Sequence, residues 1–458
     1  MVLLGDADAI SVRDFMTGVQ VFGATGSGKT SGSMACFAEA MLKDDWGLLI
    51  LTTRVTDADI WEQWAARAGR SQDVLRIRAD GQHRFNFLEY LNSHPVPGVS
   101  IATNIADVVM SIAKHTKPTG KQTEASQFFA EAATRMVTMA IHLVRAAGIP
   151  LTLGTIGDII NAAPTHPLEK AEEGFEDTLI PELIDRAGFN GSSKLDELGK
   201  FWLREFPGMN ERTRGDVIST LTSVIHRFGE QPIADLMTCE RGSSFIPEMV
   251  DQGKIMILDC PVTTYGEAGR LFQIAMKYLV QRMVLRRVGA DTTRPVAIVA
   301  DESHNFVTQF DYQYQAVCRD PRGCTVYATQ SIDNYREATG TPAATEALLA
   351  SLVNKVFHAN AGNTNDWAQS LIAGDWRRMS SESMNQRDQG GTTHGTSFSE
   401  QISPQVPAVE FTRLRSGGPE HRGMVDAIFF QTNRVFASGK PFVKVTFIQH
   451  GFEARKGR

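Results

Sequence analysis

Apolar residues in this chain gather in short, nearly continuous runs, separated by stretches where they recur at helical spacing. The runs are Val19–Phe22, Gly47–Thr52, Lys254–Asp259, Val296–Ala300, Cys324–Ala328 and Lys355–Ala359. Unbroken runs suit strands buried on both faces, so their alternation with helices predicts an α/β fold with a mostly parallel sheet. Among the helices, Glu267–Arg287 places Leu271, Ile274, Ala275, Tyr278 and Leu279 on one face. A different pattern fills residues 95–235, which read as helical throughout. There Phe129, Ala133, Met136, Ala140 and Leu143 form a stripe closed by Gly148 and Pro150, followed by helical patterns at Leu195–Glu205 and Asp216–Phe228. We expect an all-α domain over 95–235, inserted into a nucleotide-binding core built from 1–94 and 236–458. Met379–Gln401, rich in Ser, Gly, Thr, Asn and Gln, reads as a long mobile loop, with strands after it at Ala427–Thr432 and Phe442–Gln449. The basic end Arg455–Arg458 reads as disordered.

The first run leads into Gly23-Ala24-Thr25-Gly26-Ser27-Gly28-Lys29-Thr30, and a helical pattern with Met34, Phe37, Met41 and Leu42 leads out. A glycine, four residues, then Gly-Lys-Ser/Thr between a strand and a helix is the phosphate-loop pattern. Glycines let the backbone wrap so that its N–H groups and the helix N-terminus face an anion. Lys29 is expected to reach the β- and γ-phosphates, and the Thr30 hydroxyl to hold Mg²⁺. The chain is therefore expected to bind a nucleoside triphosphate.

Composition narrows the partners. The 458 residues are too many for one simple core. A net charge of −6 excludes a generally basic nucleic-acid binder, so DNA contact would need a local patch or a pore made by assembly. Lys114, Lys117 and Lys121 offer such a patch, and Glu169–Asp185 is strongly acidic; a solvated face is the plain reading of both. The scattered Cys36, Cys239, Cys260, Cys318 and Cys324 read as free thiols of a reducing compartment. No run of about 18 apolar residues marks a membrane span, and no signal-peptide pattern opens the chain, so a cytoplasmic protein is expected.

A Mg-nucleotide site needs a carboxylate at the end of a second core strand and a group that positions water. Ile255–Asp259 ends in one acid; Val296–Ala300 is followed by two, Asp301 and Glu302. The adjacent pair can divide the work, Asp301 in the Mg²⁺ shell and Glu302 as base, and Asp259 then caps a turn before Pro261. His304 reads as a neighbour of the site. Gln330, after the strand Cys324–Ala328, is placed to sense the γ-phosphate and orient water. Arg319, with Arg322 as rival, is a guanidinium that a neighbouring subunit could supply to developing charge.

With these residues in place, nearly the whole chain resembles the type IV coupling proteins of conjugation and type IV secretion, within the FtsK–HerA superfamily of pumping ATPases. The phosphate loop looks like the family's first motif and Asp301-Glu302 like its second; Arg319 and Ala328-Thr329-Gln330-Ser331 are similar to the segment that follows. Arg84-Phe85-Asn86, Asn354-Lys355-Val356-Phe357 and Val406–Leu414 resemble further family stretches. Two features depart: the family's N-terminal membrane anchor is not expected here, since residues 1–22 hold no run able to span a bilayer, and Leu51-Thr52-Thr53-Arg54 stands where the family often has Asp-Pro-Lys-Gly.

The resemblance implies a RecA-like P-loop ATPase using ATP and Mg²⁺, assembled as a homo-hexamer with nucleotide at the interfaces and DNA in a central channel. Its partners would be a relaxase or other secretion substrate and channel proteins, with the membrane reached only through a partner. Two other readings stay open, a HerA-like DNA translocase in processing or defence and a nucleotide-gated docking module.

Overall fold

The computed structural model describes residues 2–4, 8–95, 100–114, 124–167, 178–229, 231–237, 242–287, 293–386 and 392–449. In chain order its strands are β1 (Val2–Leu3), β2 (Ala9–Ile10), β3 (Val19–Phe22), β4 (Gly47–Leu51), β5 (Val74–Arg78), β6 (Ile255–Asp259), β7 (Val296–Ala300), β8 (Gly323–Thr329), β9 (Asn354–Phe357), β10 (Gly374–Gln386), β11 (Thr392–Pro404), β12 (Met424–Gln431) and β13 (Phe442–Ile448). Two compact units share them. One comprises Met1–Asp45, Asp301–His304 and Cys324–Arg458; the other comprises Trp46–Ala300 and Asn305–Gly323.

In the first unit the strands run in the order β13-β12-β9-β3-β8. β3 is parallel to both neighbours, with Val19 opposite Val326 on one side and Asn354 on the other. β12 is antiparallel to β9 and to β13. Every residue of β3 is buried, which its apolar run demands. Gln20 survives there because its amide is satisfied: Nε2 donates to the Val21 carbonyl and Oε1 accepts from the Tyr335 hydroxyl. Phe22 stacks on Phe357 and meets Trp367 and Tyr335 edge-on, fixing the strand end from which the phosphate loop departs. At the opposite end of the sheet, buried Asn354 donates to the Asp14 and Gly18 carbonyls and to Thr17 Oγ1, which gives this residue a structural task away from the site.

The segment expected to be a mobile loop is a β-ribbon. β10 and β11 pair antiparallel from Gly374 opposite Pro404 to Gln386 opposite Thr392. Its sequence is dominated by Ser, Thr, Asn and Gln, so no alternation of apolar and polar residues announced it. Trp376, Phe398 and Ile402 remain exposed.

In the second unit the order is β7-β4-β6-β5, all parallel. β5 was not expected. It is an edge strand in which Ile77 alone is fully buried, and edges tolerate the Arg76 and Arg78 that broke the apolar pattern. The buried Gln273 amide takes the Thr52 N–H and gives its own to the Thr52 and Cys260 carbonyls, closing the ends of two strands at once. Deep in this unit, Lys277 pairs with Asp311, and Gln281 donates to the same carboxylate.

The described residues between 100 and 237 contain helices and no strand, among them Ile101–Lys114, Glu124–Ala147, Leu153–Asn161, Leu179–Phe189 and Glu211–Phe228. Ala133, Met136, Ala140 and Leu143 are buried as their spacing requires. Lys114 closes the first of these helices, whereas Lys117, Lys121, residues 169–177 of the acidic run, Cys239 and the tail Arg455–Arg458 lie outside the described residues. Cys260, Cys318 and Cys324 are buried thiols outside any disulfide, and Cys36 is half-buried. Among the described residues no helix is long and apolar enough to cross a membrane.

Candidate nucleotide-binding site

The phosphate loop leaves the carboxyl end of β3, the edge where ligands collect in parallel sheets. Neighbouring strand ends hold it: the Gly23 N–H donates to the Thr329 carbonyl and the Ala24 N–H to the Ala359 carbonyl. Gly26 and Gly28 have φ of 77° and 83°, left-handed values that favour glycine. Gly28 is also a close approach, since a Cβ there would lie 2.7 Å from Val425 Cγ2 and 2.9 Å from the Ser416 carbonyl. Beyond Lys29 the chain makes a π-helical turn, Thr30–Met34, before the α-helix Ala35–Lys43.

Three predicted acids and amides converge here, all within the first unit. Lys29 Nζ donates to Glu302 Oε1 at 3.0 Å and lies 3.7 Å from Asp301 Oδ1. Thr30 Oγ1 donates to Asp301 Oδ2 at 2.6 Å. Gln330 Nε2 donates to the same Glu302 oxygen at 3.3 Å. The Lys29 and Glu302 side chains are only 8% and 11% exposed, so the two charges meet where water screens them little. Glu302 holds a left-handed backbone with φ 52°, its N–H donating to Asp301 Oδ1. Non-glycine residues take that conformation at a cost, and such strain gathers at functional sites. His304 contacts Thr329 Oγ1 at 3.0 Å and lies 3.8 Å from Glu302 Oε2, and burial keeps its imidazole below the ordinary histidine range.

The residues fit a Mg-nucleotide. The Ser27 hydroxyl oxygen is buried with no hydrogen-bond partner among the described residues. Gly23 leaves the space that a Cβ would take from Ser27 Oγ and from His358 Cβ. The donor set, Thr30 hydroxyl beside Asp301 carboxylate, has the hard oxygen chemistry that Mg²⁺ selects.

Asp259 has a different task. Arg76 on the adjacent strand donates to it from Nε at 2.8 Å and Nη2 at 2.7 Å, and also reaches Asp59 and Glu62. Arg319 and Arg322 belong to the second unit, in the turn after the helix Gln309–Val317; Arg319 is exposed and Arg322 takes φ 56°. Asn86 caps the helix Phe87–Ser93 by accepting from the Leu88 and Glu89 N–H groups.

Sequence reading missed a polar layer formed where β9 ends. Ser33 Oγ and His358 Nε2 are 2.7 Å apart, and the same hydroxyl faces the Lys29 carbonyl at 3.3 Å. Asn360 Nδ2 donates to the Gln330 carbonyl at 2.5 Å. The available signal was positional, since both residues follow the apolar end of β9, a parallel neighbour of the phosphate-loop strand.

No protein-family model matches the chain, and no curated protein matches it. Solved structures do. The bacterial conjugative coupling protein TrwBdeltaN70, unbound, superposes with a TM-score of 0.60 at 15% identity, covering 96% of this chain and 89% of that one. The plasmid coupling protein TrwB in complex with ADP and Mg²⁺ gives the same score, identity and coverage. With a non-hydrolysable ATP analogue TrwB gives 0.61 at 15% identity, over 97% of this chain and 90% of that one. At these identities the likeness is one of fold, and the fold of this chain is that of the conjugative coupling protein TrwB.

Proposed function

We propose that this chain is an ATP-hydrolysing coupling ATPase of the conjugation and type IV secretion kind, which draws DNA or a DNA–protein complex towards a secretion channel. The observation that carries the reading is the meeting of Lys29, Thr30, Asp301, Glu302 and Gln330 at the phosphate loop. Solved structures of TrwB, whose fold it shares, hold ADP with Mg²⁺ and an ATP analogue.

In this reading the loop Gly23–Thr30 holds the phosphates, with Lys29 as point charge on the terminal ones. Thr30 and Asp301 hold the metal. Bound Mg-ATP supplies the scissile phosphoanhydride and a divalent charge beside it. Glu302 accepts the proton of the attacking water, while the Gln330 amide orients that water. Arg319 acts on a neighbouring subunit's site in a ring-shaped homo-oligomer. The helices between residues 95 and 235 form an inserted domain that recruits substrate, and DNA runs through the ring.

ATPase assays on three chains test this. Lys29→Ala abolishes nucleotide binding or turnover. Glu302→Gln keeps ATP binding but slows hydrolysis on the order of 100-fold or more, since only water activation is lost. Near wild-type turnover in Glu302→Gln would exclude the assignment. Stimulation of the wild-type rate by DNA supports a motor; nucleotide-dependent assembly without it supports a docking module, which the net charge of −6 suits.

A further inference from the structure

We infer that the turn Ser416–Gly418 is the wall that receives the nucleoside end of the nucleotide, and that Gln449 is the specificity-determining residue that sets it in place. This rests on the nucleotide reading above. The phosphate loop has two sides. Lys29, Thr30, Glu302 and Gln330 mark the side of the terminal phosphate and metal. A nucleotide so held must direct its ribose and base away from that cluster, past the first helical turn. The groups that flank Lys29 and Thr30 along the chain are Gly28, Ser31 and Gly32.

What faces them is a built surface. Val425 lies against both glycines: a Cβ at Gly32 would stand 3.0 Å from Val425 Cγ1, and one at Gly28 closer still to Cγ2. Gln449 Nε2 donates to Ser31 Oγ at 3.1 Å, and its Oε1 accepts from the Gly418 N–H at 2.9 Å. The second bond fixes which way the amide points, so one N–H is directed at Ser31 and the other meets no acceptor among the described residues. Gly417 and Gly418 are consecutive left-handed residues, φ 84° and 75°. A Cβ on Gly417 would strike Gln449 and Val425, whereas one on Gly418 would meet nothing within 4 Å among the described residues. The turn is thus packed behind and open in front, the form that lets a flat ring approach the backbone.

Its frame is stiff. Arg415 grips Asp426 with Nε and Nη2 at 2.8 and 2.7 Å, Thr446 Oγ1 donates to the same carboxylate, and the Gln449 N–H donates to the Gly423 carbonyl at 2.7 Å. A donor and a glycine pair at this place suit the ring nitrogens or ribose hydroxyls of a nucleoside. They have no part to play for a bare polyphosphate.

That difference gives the test. Calorimetric titration of the full chain with Mg-ATP and with magnesium tripolyphosphate separates the nucleoside from the phosphates. Gln449→Leu should weaken ATP about tenfold, the worth of a lost hydrogen bond in a rigid site, and leave tripolyphosphate unchanged. Lys29→Ala should weaken both. Photolabelling of the unaltered chain by 8-azido-ATP should mark residues 415–424, a result that needs no variant to fold. Equal loss for both ligands, no loss for either, or label elsewhere would overturn the assignment of Gln449 and the turn. A wild-type chain that binds neither ligand would instead overturn the nucleotide reading itself.

Discussion

Burial keeps the His358 imidazole neutral, its pKa driven down to about 3 by removal from water beside the phosphate loop. Unfolded, the same group returns to the ordinary histidine range near 6.5. Between those values the unfolded chain binds the extra proton, so stability falls as pH drops from about 6.5 towards 3. Replacing His358 by Gln keeps a partner for Ser33 Oγ and removes the titration. Denaturation midpoints at pH 7 and pH 4.5 should therefore differ less in His358→Gln than in the wild type. An unchanged difference would mean that this histidine does not set the acid limb. Glu302 shows why residue identity alone underdescribes a site. Its left-handed backbone cannot be read from Ala300-Asp301-Glu302-Ser303, because it depends on where the strand before it and the bonds around it place the chain.

At the scale of elements, the helix Asn363–Ile372 ends in Ala373, which has φ 67° and ψ −179°, and the chain enters the ribbon β10–β11 directly after it. That region is nearly closed to residues with a Cβ and costs on the order of 1–3 kcal/mol. Ala373→Gly should raise unfolding stability by about 1 kcal/mol once the greater freedom of unfolded glycine is counted. Chemical denaturation would read the gain, and a loss of stability would show the backbone to be unstrained there. In the second unit the Lys277–Asp311 pair, with Nζ donating also to the Phe306 carbonyl, is buried at both ends. Lys277→Met should cost about 3–5 kcal/mol by stranding the carboxylate, while Lys277→Met with Asp311→Leu should recover only part of it, because Gln281 and the Thr308 N–H lose the same acceptor. The same denaturation assay checks both. Buried apolar strands were legible from their runs, whereas β5 and the ribbon were not. An edge strand interrupted by Arg76 and Arg78 and a ribbon built mostly of Ser, Thr, Asn and Gln carry too few apolar positions to leave a periodic mark.

At the scale of the whole molecule, Arg319 carries the prediction of a shared site. Arg319→Ala chains should bind ATP normally yet turn over slowly. Mixed with Lys29→Ala chains they should regain part of the activity, because some interfaces then join an intact phosphate loop to an intact arginine. Co-assembly without recovery at any ratio would assign the arginine elsewhere. What the sequence by itself determined is the chemistry that lies within a few residues: the phosphate loop, the acid pair after an apolar strand, the amide after the next, and a parallel α/β core. Such signals survive in one dimension because strand, tight turn and helix start follow one another along the chain. Tertiary structure decided which side chains those groups meet. It set Glu302 against Lys29 across 273 residues of chain, tied Asp259 to Arg76, and brought Gln449 to Ser31. Contacts of that range arise from sheet order and packing, which no local pattern encodes.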